Sequence, residues 1–163
     1  PAILGISQRA RAALQRLEAV VQAGLDNGLI QTSYEFAKVH GSRLRGSEIA
    51  DFALSIGAVE AEIGLMPEAL ARLSVFRSPE LQADYLARLV GGKGSAENLQ
   101  EAYNTTLAEL IAVEGVYERD LARLTLLKGA IANGSSDLAV PIVKALEDDD
   151  NQALGLSLLA AII

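Results

Sequence analysis

The chain has 163 residues, half of them hydrophobic, with four tyrosines, three phenylalanines and no cysteine or tryptophan. A domain of this length buries a sizeable core unaided, here an aliphatic one, and the lack of cysteine excludes disulfides, thiolate catalysis and cysteine metal sites. The net charge of −7 argues against nucleic-acid binding, because phosphate affinity comes from clustered Lys and Arg.

The charge is unevenly spread. Residues 1–46 carry Arg9, Arg11, Arg16, Lys38, Arg43 and Arg45 against Glu18, Asp26 and Glu35, a balance of +3, and the remainder carries eight bases against eighteen acids, −10. Such asymmetry complements itself within a fold or draws two copies together head to tail. No stretch has the order of a signal peptide, and the longest apolar run, Gln152–Ile163, is too short to cross a bilayer. The expectation is a soluble, cytoplasmic protein of one domain over 1–163, or a piece of a longer chain.

In chain order, residues 5–24 read as a first helix, with Ile6, Ala10, Leu14, Leu17 and Val21 on one side, stopped by Asp26-Asn27-Gly28. A second helix over 29–39 ends at the glycine-bounded loop His40-Gly41-Ser42-Arg43-Leu44-Arg45-Gly46. Ser47 caps a third, in which Ile49, Phe52, Ile56, Val59 and Ile63 recur at helical spacing. Gly64 and Pro67 mark a stop and restart, giving a fourth helix edged by Leu70, Leu73 and Phe76. Ser78-Pro79-Glu80 starts a fifth, which Gly91-Gly92 ends.

Residues 95–133 contain no proline, and Leu99, Tyr103, Leu107, Leu110, Val113, Tyr117, Leu121, Leu124, Leu127 and Ile131 recur at threes and fours. That spacing predicts one continuous helix of roughly 55 Å at about 1.5 Å per residue. A second line of small residues, Ala108, Ala112, Gly115, Ala122 and Gly129, suits close approach of another backbone. The alternative is two helices broken at Gly115. Asn133-Gly134 terminates the stretch, Pro141 lies within a helix over about 137–147 or delays its start to Val140, and Asp148-Asp149-Asp150 precede the last apolar run. The fold expected is all-α, a multi-helix bundle of eight or nine helices around the 95–133 helix, with an irregular α-solenoid of helical hairpins second. The identical fragments Leu70-Ala71-Arg72-Leu73, Leu86-Ala87-Arg88-Leu89 and Leu121-Ala122-Arg123-Leu124 are irregularly separated, so amphipathic periodicity with an exposed arginine accounts for them better than a repeat array.

The chemistry-bearing residues are few. Lys38, His40, Arg43 and Arg45 place four potential cations within eight residues, which suits anion or small-molecule binding, although exposed charge is the default for these residue types and favours a solvated connection. His40 is the only histidine, which excludes a two-histidine di-iron site, and no nucleophile elbow accompanies it. Gly91-Gly92-Lys93-Gly94-Ser95 departs from a phosphate-binding loop in glycine placement, and Glu147-Asp148-Asp149-Asp150 lacks the spaced ligands of a calcium loop. Glu60/Glu62 and Glu114/Glu118 are carboxylate pairs, which read as solvated faces. No metal and no cofactor is expected. The leading expectation is a non-enzymatic protein–protein interaction, adaptor or assembly module, binding a protein partner or itself through Leu154, Leu156, Leu158, Leu159, Ile162 and Ile163; the alternative is an anion- or small-molecule-binding protein, even an enzyme, using the 38–45 loop.

Overall fold

The computed structural model describes residues 2–41, 44, 47–90 and 96–163. Among them are nine α-helices and no strand: α1 (Ala2–Asp26), α2 (Ile30–Gly41), α3 (Ser47–Glu62), α4 (Met66–Ala71), α5 (Pro79–Arg88), α6 (Ala96–Glu109), α7 (Val116–Ala132), α8 (Ser136–Ala145) and α9 (Asp149–Leu159). The all-helical bundle expected from periodicity is therefore the fold. Several boundaries follow from local chemistry. Gly28, Gly64 and Gly134 end helices with positive φ, and the Ser78, Ser135 and Asp148 side chains accept the first free N–H groups of α5, α8 and α9. Pro141 lies inside α8 and denies a hydrogen bond to the Asp137 carbonyl, which the Gln100 side chain of α6 supplies instead at 3.4 Å. α9 begins at Asp149, three residues ahead of the apolar run, because Asp148 caps it.

The helices lie in two rows. The odd-numbered helices touch in order, α1 on α3, α3 on α5, α5 on α7 and α7 on α9, while α4, α6 and α8 touch in order alongside them. Contacts such as α1 with α2, α5 with α6 and α7 with α8 join the rows. Within the bundle, then, the neighbour pattern is that of stacked helical hairpins.

The continuous 95–133 helix is corrected by the structure. α6 ends at Glu109, a 3-10 turn covers Leu110–Ala112, and α7 starts at Val116 after an elbow at which Gly115 has φ +87°. Only glycine adopts that conformation without strain, and an α-helix cannot pass through it. The two apolar stripes run in phase across the break, which is why spacing alone does not reveal it. The elbow also changes the fate of residues in the stripe: Tyr117 and Leu121 are 70% and 54% exposed.

Of the small-residue line, Gly129 performs the role expected. A side chain there would meet the Ala87 backbone of α5 and the Tyr103 hydroxyl of α6, so the missing Cβ lets α5 and α7 approach closely. Ala122 is buried too, whereas Ala108, Ala112 and Gly115 are exposed.

Two core clusters result. Leu14, Leu17 and Val21 of α1 join Tyr34 and Ala37 of α2 and Phe52, Ile56 and Val59 of α3. The larger one runs from Ala53 through α5, α6, α7 and α8 to Leu159, and Leu86, Leu89, Leu110, Leu126 and Leu127 in it are fully buried.

Candidate functional site

Beside the smaller core, α1 and α2 leave a groove of about 420 Å³. Ala13, Leu17 and Val20 form its α1 wall, Phe36 and His40 its α2 wall, and Leu44 and Glu48 close it toward α3. Arg16 is the cation on the α1 side. Phe36 and His40 are one helical turn apart, and their rings approach to 4.2 Å between centroids. Val20 and Phe36 are 45% and 41% exposed, large apolar side chains that the fold leaves in water.

Of the four cations at 38–45, the described residues include Lys38 and His40. Lys38 and His40 both belong to α2, two residues and thus about 200° apart around the helix. The Lys38 ammonium sits 6.0 Å from the Tyr34 ring while His40 lines the groove, so the two side chains diverge. Arg43 and Arg45 lie outside the described residues, as does the stretch Gly91–Ser95.

The C-terminal run is divided. Leu159 belongs to the larger core and Leu158 and Ile162 pack against it, so these three are committed within the fold. Leu154, Leu156 and Ile163 are exposed. On α9 Gly155 faces Leu146, Val143 and Leu127, which turns its neighbours Leu154 and Leu156 to the two flanks of the helix.

Two buried charge clusters were not legible in the sequence. Glu60, at the end of α3, is fully buried and receives two hydrogen bonds from Arg72, at 2.6 and 2.7 Å, and one from the Tyr34 hydroxyl at 2.9 Å. Burial, with the hydrogen bond to Glu60 and its negative charge, pushes the Tyr34 hydroxyl up to about 12. The second cluster centres on Asp120 of α7. Its carboxylate accepts the backbone N–H groups of Glu147 and Asp148, at 3.1 and 2.9 Å, and the Arg123 guanidinium at 3.0 Å. Burial resists its ionisation, but these donors outweigh burial and hold it below the usual carboxylate range.

Arg123 also reaches Glu147 at 2.7 Å, and Arg119 binds the same carboxylate through two nitrogens. Hydrogen bonds from Arg119 and then Arg123 pull Glu147 down to about 2. A third nitrogen of Arg119 holds the Val113 carbonyl at 2.7 Å, so the elbow is tied to the turn between α8 and α9. Of the three Leu-Ala-Arg-Leu arginines, only Arg88 is the exposed one expected, in a surface pair with Asp84; Arg72 and Arg123 each neutralise a buried acid. The carboxylate pairs dissolve as well. Glu60 is buried and Glu62 exposed, while Glu114 precedes the first turn of α7, to which Glu118 belongs.

Chemically, both clusters are closed. Each buried carboxylate is occupied by donors from its own chain, an arrangement that fixes neighbouring helices and leaves no oxygen for a substrate proton. Among the described residues no group of three or more His, Asp or Glu is placed to hold a metal ion, and no helix is long and apolar enough to cross a membrane. Compared with known proteins, the chain matches no family model, no curated protein and no solved structure.

Proposed function

We propose that this chain is a non-enzymatic protein–protein interaction module, an adaptor or assembly element, and that the α1–α2 groove is its recognition surface. The observation that carries this reading is the groove itself: apolar walls from Leu17, Val20 and Phe36, flanked by Arg16 and Glu48, on a scaffold whose buried charges are already partnered. An exposed apolar centre with a charged rim is the anatomy of a contact surface between proteins.

A photo-crosslinking residue introduced at position 36 tests this. Protein adducts are expected in a native extract with the probe at 36 and none with the same probe at exposed position 74; equal yields at both, or none at either, contradict the reading. A melting temperature raised by phosphate or a small carboxylate, and no longer raised in His40→Ala, would favour the anion-binding alternative.

A further inference from the structure

We infer that the α6–α7 elbow is the hinge of a domain swap: straightened, it joins α6 and α7 into one helix, and α7–α9 then packs on a second copy of this chain. The elbow is a small departure from a continuous helix. Leu110–Ala112 already forms a 3-10 turn, so only Val113, Glu114 and Gly115 separate α6 from α7 with non-helical backbone. None of the three is proline, and the apolar stripe from Leu99 to Leu110 runs in phase with that from Tyr117 to Ile131. In the elbow the Val113 carbonyl accepts Arg119 Nη1 at 2.7 Å, and α7 starts at Gly115 without a side-chain cap. In a continuous helix the N–H groups of Val116, Tyr117 and Glu118 pair with the carbonyls of Ala112, Val113 and Glu114. Straightening therefore orphans no backbone group there, and it releases Gly115 from its φ of +87°.

The contacts to be exchanged are already complementary. α7 packs along α5 and α8 touches α6, with Gly129 set against the Ala87 backbone and the Tyr103 hydroxyl. A second copy offers the identical α5 and α6, so α7–α9 finds the same contacts there, and reciprocal exchange closes at a dimer. Exchange also covers what the closed chain leaves in water. Ile111, Val116, Tyr117 and Leu121 are large apolar side chains exposed at or beside the elbow. Because α7 of each copy lies beside α6 of the other, the two straightened elbows meet at the centre of the dimer and bury these residues against each other. The α1–α2 groove is untouched by the exchange, so the two proposals stand or fall separately.

Refolding the purified chain over a concentration series, with mass read by light scattering, tests this. A dimer is expected to grow with concentration, to stop at two copies and to revert slowly on dilution, since reversal detaches α7 from α5. Gly115→Ala strains the elbow and favours the helix, so its dimer is expected at concentrations on the order of a hundredfold lower. Val116→Pro acts in the opposite sense. Proline suits the first position of α7 and breaks a continuous helix, so this variant is expected to stay monomeric with unchanged helicity. Spin labels at exposed Asn98 and Ala132, in a chain diluted into unlabelled copies before refolding, are expected roughly 50 Å apart in the dimer, the span of the straight helix, and much closer in the monomer. A wild-type chain monomeric at every concentration, a Gly115→Ala dimer no tighter than the wild type's, a Val116→Pro chain that dimerises as readily, or a dimer whose labels stay close would overturn the inference.

Discussion

The first three helices and the last five are stacked by the same rule and differ in how completely they are covered. In the α1–α3 cluster Leu14, Leu17, Val21, Phe52 and Val59 each keep 6–7% of their surface exposed, and grooves of about 420 and 310 Å³ flank α1. In the α5–α9 region Leu86, Leu89, Leu126 and Leu127 are wholly buried, and α7 has α5, α8 and α9 against it. Apolar burial contributes about 25 cal/mol per Å², so the well-covered region supplies more stabilisation per helix, and the thinly covered one has side chains left over for a partner. Stability and recognition are thus divided between two parts of one helical stack.

Glu60 ties α2 and α3 to the turn after α4, and breaking it has the largest expected effect. Arg72→Ala leaves a fully buried carboxylate with only the Tyr34 hydroxyl, and removal of one partner from such a pair costs about 3–5 kcal/mol. Chemical denaturation should show this as a lower midpoint. In the second region Arg123→Ala is expected to cost about 1.5–3 kcal/mol, because Asp120 keeps the two backbone donors of Glu147 and Asp148. Gly115→Ala places a Cβ on a residue at φ +87° and is expected to cost about 1–2 kcal/mol, read as a fall in melting temperature. Smallest is Arg88→Ala, whose pair with Asp84 is exposed on both sides, worth less than about 1 kcal/mol. A loss at Arg88 as large as at Arg72 would remove the distinction between buried and surface arginines.

Acid should act on the second region. Asp120 and Glu147 have folded pKa values below their ordinary ones, so the unfolded chain binds more protons as pH falls. Their contribution is complete above the ordinary carboxylate range and is lost as pH drops toward about 2, the value reached by Glu147. Melting temperature should fall over that interval, and less steeply in Asp120→Asn. Tyr34 behaves in the opposite sense. Its folded value is raised, so its contribution is intact below pH ~10 and lost as pH rises through about 12.

How much of this was legible in the sequence depends on the range of the interaction. Helix identity and most caps were, since Ser78-Pro79, Asn133-Gly134 and the threes and fours of Ile49 to Ile63 are signals within a few residues. The elbow was not. Gly115 carries no neighbouring proline or asparagine, and two stripes in phase on either side of it mimic one helix. The charge clusters lie further beyond reach: Glu60 and Arg72 are twelve residues apart and Asp120 and Asp148 twenty-eight, so only the fold pairs them. The candidate loop shows the converse, since Lys38 and His40 are close in sequence and point apart on α2.

Amide hydrogen exchange measured helix by helix tests the division most directly. Amides of α5 and α7 are expected to exchange only through global unfolding, and those of α1 and α2 through a local opening at least about a hundredfold more frequent. Equal protection in all four helices, or slower exchange in α1 and α2, would contradict the account.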